Sequence, residues 1–116
     1  MELSIHSFLT ELKRGNLTLA VLSQLRTPQY GYSLVQLLEN LGIGIEQSTL
    51  YPLLRRLEKQ ELLNSFWDTS EKRPRKYYEL SEYGEKVFQQ LREEWMKNTK
   101  RLFDVLNEED KENESN

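Results

Sequence analysis

Apolar residues recur at helical spacing along most of the chain and alternate over one short stretch. Over residues 1–26, Phe8, Leu9 and Leu12 form one stripe, and Leu17, Leu19, Ala20, Leu22 and Leu25 form another. Gly15-Asn16 interrupts the pattern, so the spacing predicts one helix or two joined pieces, the second capped by Asn16. Thr27-Pro28-Gln29 predicts a turn. Tyr30 through Leu41 predicts a second helix with Leu34, Leu37, Leu38 and Leu41 buried, ended by Gly42-Ile43-Gly44. A third helix follows from about Gln47 to Gln60, and the rest of the chain is organised around it.

That third helix separates its chemistry by face. Leu50, Leu53, Leu54 and Leu57 fall at i, i+3, i+4 and i+7, one buried stripe. Gln47, Ser48, Thr49, Tyr51, Arg55 and Arg56 sit between them, all hydrogen-bond donors. Pro52 requires the helix to begin close before it, near Glu46–Ser48. Donors from the first two turns, held down from behind by leucines, are what a helix entering a DNA major groove needs. An ordinary amphipathic surface helix has the same spacing. Two helices joined by a short Gly-containing turn make a helix-turn-helix, whose second member is the reader.

The period then changes. Leu63, Ser65 and Trp67 alternate with Asn64, Phe66 and Asp68, which predicts a strand with Trp67 in the core. A turn over Thr69–Pro74 leads to a returning strand, Arg75–Leu80. Lys72, Arg73, Arg75 and Lys76 cluster at the tip of this hairpin. A basic hairpin directly after a reading helix is a wing, placed to lie along the backbone or dip into the minor groove. Ser81 caps a last helix predicted from Glu82 to about Leu106, with acid in its first turn where the dipole favours it. Phe88, Leu91, Trp95, Leu102, Val105 and Leu106 form a near-heptad stripe, too long for so small a domain to cover alone, so it predicts a partner helix. The expected fold class is mainly α with a small β-hairpin. Residues 1–80 are expected to be a winged helix-turn-helix, 81–106 a dimerisation helix, and 107–116 a disordered acidic tail.

Charge at first argues against nucleic acid, since the net is -3. Its distribution changes that picture. Lys and Arg number three against three acids over residues 1–45, seven against five over 46–78, and six against eleven over 79–116. The acid is thus loaded away from the reader and wing, and a basic patch can act on its own. Lys13 and Arg14, just before the Gly15 break, are further candidates for phosphate at a helix N-terminus.

With 116 residues there is one domain. There is no cysteine, hence no disulfide frame and no thiolate site. The single histidine, His6, stands in no motif, and no Gly-rich phosphate loop, metal-ligand spacing or nucleophile elbow occurs. An enzyme is therefore not expected, nor a cofactor or metal. No apolar run is long enough for a signal peptide or membrane span, so a cytoplasmic protein without a membrane partner is expected. RNA is disfavoured, because an A-form major groove does not admit a helix. The remaining alternative, a helical protein-interaction module, leaves the hairpin cations and the polar reader face without a purpose.

Several segments together resemble the PadR family of bacterial transcription regulators, over about Leu12 to Leu102. They are Arg14-Gly15, Tyr30-Gly31-Tyr32, the run Thr49-Leu50-Tyr51-Pro52-Leu53-Leu54-Arg55-Arg56-Leu57-Glu58, and Arg75-Lys76-Tyr77-Tyr78-Glu79-Leu80-Ser81. The resemblance implies a winged helix-turn-helix homodimer, usually a repressor, on double-stranded DNA with a pseudo-palindromic operator. Tyr30 and Tyr32 join the expected DNA contacts. The family often carries glycine where Ser48 stands, and Gly-Pro where Arg73-Pro74 stands. The single C-terminal helix is similar to that of the short subfamily, some members of which sense multiple drugs. There a tryptophan matching Trp95 lines a pore at the dimer centre and stacks small flat aromatic effectors. By that likeness Trp95 is an effector-site candidate, with Phe8 and Leu12 facing it; the alternative is that Trp95 is interface core.

Overall fold

The structure, a computed structural model, describes residues 2–115, with side chains over 5–108. Four helices and three strands run in the order α1 (Glu2–Ser23), β1 (Gln29–Tyr30), α2 (Gly31–Asn40), α3 (Gln47–Lys59), β2 (Leu63–Asp68), β3 (Arg75–Leu80) and α4 (Glu82–Ser115). The strands form an antiparallel sheet in the order β1-β3-β2. This is a winged helix-turn-helix with a long C-terminal helix. The expected hairpin gains β1, made of Gln29 from the expected turn and Tyr30 from the expected start of the second helix, which begins instead at Gly31; Gln29 pairs with Tyr78 and Tyr30 with Tyr77. Two residues are too few to display a period, so this strand exists only through its partner.

The core lies where α1, α2, α3 and the sheet converge. Val21, Leu22, Leu25, Leu34, Leu38, Leu50 and Leu54 are fully buried there, and Leu53, Leu57, Leu62, Leu63 and Tyr78 nearly so. Each fully buried leucine contributes about 1.5–3 kcal/mol of transfer free energy. The reader's leucine stripe is therefore core, as its spacing predicts. Leu41 differs: it follows the last turn of α2 and is exposed, beside Leu37, which is half-buried.

Both ends of the helix-turn-helix pair close by the same motif. At the end of α2, Gly42 has φ +81°, its N–H reaches the Glu39 carbonyl at 3.0 Å, and Ile43 N–H reaches the Leu38 carbonyl at 2.8 Å. At the end of α3, Glu61 takes the corresponding left-handed conformation, φ 66°, with Leu62 N–H on the Leu57 carbonyl at 3.0 Å.

Three expectations are corrected. First, no second piece begins at Asn16: of the two alternatives for residues 1–26, α1 is the single helix, unbroken through Gly15-Asn16, because a glycine within a helix costs only about 1 kcal/mol. Asn16 caps nothing; its Oδ1 accepts from Trp95 Nε1 at 2.8 Å, joining α1 to α4. Second, α4 continues through Ser115, past the disordered tail expected from Asn107. Glu and Lys are good helix formers, and they extend a helix already nucleated. Third, Phe88 belongs to the core, 6% exposed under the Arg26 guanidinium, and is not a free interface residue. The first turns of α4 thus complete the winged-helix core. A near-heptad stripe cannot distinguish a turn that packs on its own chain from one that awaits another.

Candidate nucleic-acid interface

Helix α3 presents its polar groups as the spacing predicts. Gln47, Ser48, Thr49, Tyr51, Arg55 and Arg56 are all exposed, opposite buried Leu50, Leu53, Leu54 and Leu57. Pro52 leaves the Ser48 carbonyl without its usual partner in the helix, and Ser48 is itself at the surface. The Tyr51 ring lies against the backbone of Gly31, in the space a Cβ there would occupy, so a larger residue would have to turn the ring aside. Gly31 therefore ties the first turn of α2 to the reader.

The wing reaches over the same side. Tyr51, Arg55, Tyr30, Trp67, Arg75 and Lys76 line one groove between α3 and the β2–β3 hairpin. Tyr30 is the residue that precedes α2, where its N–H donates to the Ser33 hydroxyl at 3.1 Å. Its ring meets Tyr77 edge-on, centroids 5.4 Å apart, and the Arg75 guanidinium lies 4.6 Å from its centroid. Arg75 also approaches Glu71 at 3.7 Å. Lys72 and Arg73 stand exposed at the hairpin tip. Tyr32 is exposed at the start of α2.

Glu58 fixes the base of the wing to the reader. It accepts from the Ser65 hydroxyl on β2 and from Lys76 Nζ on β3 at 3.3 Å. The Ser65 bond is the larger cause that holds its carboxyl below the ordinary glutamate range; burial opposes this and Lys76 adds to it. Lys76 thus has its charge partly answered within the chain. Arg55 makes no ion pair among the described residues. The sequence reading missed Glu58, and no local pattern marks it, because its partners are seven and eighteen residues on.

Trp67 is a further correction: it is 62% exposed, not core. The signal was present in the register. A turn over Thr69–Pro74 pairs Asp68 with Arg75 and Trp67 with Lys76, and a lysine opposite marks a wet rung. Lys13 and Arg14 are not brought to the groove. With α1 unbroken they sit within a helix, and not at an N-terminus; Lys13 lines a cleft with Gly42–Gly44, and Arg14 one with His6 and Thr10.

The model of the transcriptional regulator PadR-like family matches residues 18–90, more than half of the chain. The chain belongs to the PadR-like family of transcriptional regulators. Among solved structures it is similar to a PadR family transcriptional regulator from Eggerthella lenta DSM 2243. The two share 45% identity and a TM-score of 0.83, covering 90% of this chain and 94% of that one. An uncharacterised protein of Lysinibacillus sphaericus is 31% identical over 104 residues, 85% of this chain and 94% of the relative. Bacillus subtilis PadR in complex with operator DNA shares the fold, with a TM-score of 0.59 and 24% identity over 64% of this chain and 45% of that one. The PadR match begins and ends inside α1 and α4, so it includes the whole reader, wing and groove.

The remaining candidates lie on the two long helices. Leu91, Trp95, Leu102 and Leu106 are each at least 40% exposed along α4, as are Phe8 and Leu12 on α1. Within one chain Trp95 faces Asn16, Leu19 and Ala20, and a cleft of about 270 Å³ opens there. Phe8 and Leu12 line a separate surface with Ile5 and Gly15 and do not reach Trp95. Among the described residues no helix is long and apolar enough to cross a membrane.

Proposed function

We propose that this PadR-like protein is a homodimeric, sequence-reading repressor of transcription, non-enzymatic and cytoplasmic. The observation that carries the reading is the groove in which the polar face of α3 and the cationic wing open to the same side. Gln47, Ser48, Thr49 and Tyr51 approach base edges from the first turns of α3. Arg55 and Arg56, further along, anchor phosphate. Tyr30, Tyr32, Lys72, Arg73, Arg75 and Lys76 hold the flanking backbone. Lys13 and Arg14 stand apart from this groove and drop to secondary contacts. The Bacillus subtilis protein of this fold is held on operator DNA, which supports the same use of the fold here.

A second copy covers the exposed stripe of α4 and the apolar face of α1. Residues 1–80 then serve as the DNA-binding part and 81–106 as the dimerising helix, less Phe88 and its neighbours in the core. A two-fold dimer places two readers on half-sites about one helical turn apart. A small flat aromatic compound at the dimer centre, against Trp95, acts as effector by binding one spacing of the readers better than another. Phe8 and Leu12 join that site only from the second copy.

The test is fluorescence anisotropy with labelled duplex from upstream of the gene, at two salt concentrations, against a scrambled duplex. Preferential binding that weakens with salt is expected. If neither that duplex nor selection from random duplexes yields a preference, the reading gives way to a protein-interaction module.

A further inference from the structure

Strand alternation puts Trp67 on the same face of β2 as Leu63 and Ser65. Along that face burial declines: Leu63 is 3% exposed, Ser65 is half-buried on Glu58, and Trp67 is open. The face emerges from under α3 at this point. Arg55, one turn before Glu58, stands with Trp67 in the groove, together with Pro74 and Tyr51. A large indole is thereby left in water beside a guanidinium that makes no ion pair among the described residues. An apolar wall next to a cation does not suit a bare anion, which has no use for the indole. It suits a polymer that alternates apolar sugar faces with phosphates, and Arg55 supplies the charge that such a strand requires.

We propose that Trp67 packs its indole against the deoxyribose face of one DNA strand lying between α3 and the wing, with Arg55 on the adjoining phosphate. This rests on the DNA-binding reading above and adds to it a neutral contact, set among cations, that contributes affinity without charge.

Absence of charge gives the test. Trp67→Ala and Trp67→Phe are compared with the parent protein by anisotropy on the duplex it prefers, over a range of salt. Trp67→Ala is expected to weaken binding about tenfold, equivalent to ~1.4 kcal/mol, by the same factor at every salt concentration. Trp67→Phe retains most of the affinity, since a ring still covers the sugar. The side chain is exposed, so both variants keep the parent's fold, which a dichroism melt checks. An affinity for Trp67→Ala within twofold of the parent overturns the proposal. So does a loss that comes with a flattened salt slope, because the indole would then act by placing cations. A parent protein that binds no duplex brings down the DNA-binding reading itself, which is a different and separately visible result.

Discussion

Gly84→Ala reverses the sign that helix propensity assigns it. Alanine is favoured over glycine inside a helix by about 1 kcal/mol. Gly84, however, lies in the first turn of α4, pressed on the strand-entry residue Leu62. A Cβ there runs into the Leu62 carbonyl oxygen, with Leu62 C at 2.9 Å and Cα at 3.2 Å. All three atoms are backbone, so no side chain can rotate away. Nor is that carbonyl free to retreat, because it accepts from Ser81 N–H at 3.0 Å. Ser81 in turn accepts from Gly84 N–H at 2.8 Å and donates to the Glu61 carbonyl at 2.7 Å. Overpacking costs about 1–3 kcal/mol, and each loosened bond about 1 kcal/mol more. Less the propensity gain, the net is a loss of roughly 2 kcal/mol. Gly15→Ala, made in the monomeric Leu102→Asp, Leu106→Asp background, is the control: nothing in its own chain lies within 4 Å of its Cβ, so there the propensity gain of about 0.5–1 kcal/mol stands alone. Urea titration followed by helical dichroism measures both, at equal protomer concentration because association shifts apparent stability. With a slope of about 1–3 kcal/mol per molar, the Gly84 midpoint falls by roughly 1 M. A midpoint at or above the parent's, or two variants that move the same way, would refute the close approach of α4 to Leu62.

Glu61→Gly is expected to stabilise the fold by about 0.5–1 kcal/mol, because Glu61 holds φ 66°, which costs any residue with a Cβ; a lowered melting temperature would count against this. Glu58, whose carboxyl is held below its ordinary range, adds stability that is present above the unfolded pKa and lost as pH falls through the folded one. Glu58→Gln should therefore flatten the acid limb of stability against pH, and an unaltered limb would show that the Ser65–Lys76 pairing is idle. Replacing Arg73 and Arg75 by Ala should weaken binding on every duplex and flatten the salt slope by roughly one to two units; an unchanged slope removes the wing from the mechanism. Leu102→Asp with Leu106→Asp changes two exposed positions and should yield folded monomers in sedimentation velocity, while a persisting dimer would place the interface elsewhere.

Much of this architecture is legible in one dimension, for identifiable reasons. The reader is a local object: Leu50, Leu53, Leu54 and Leu57 repeat within three turns, and the donors between them must point the other way. The hairpin is nearly as local, and its two strands run where alternation predicts them, Leu63–Asp68 and Arg75–Leu80. Residue type and spacing therefore determined the reader, the wing, their order and their chemistry.

What spacing left open is where each apolar residue finds its cover. Phe88 and Leu91 lie three apart on one stripe, yet Phe88 is covered by its own chain and Leu91 is 40% exposed. Trp67 keeps the inward register of Leu63 but stands 62% exposed in the groove beside α3. The bond from Trp95 to Asn16 spans 79 residues, and β1 has no period of its own and forms only on Tyr77 and Tyr78. A hydrophobic period states that a face will leave water. Only the packing of distant segments decides what it meets, because that depends on lengths, crossing positions and register that no local window contains.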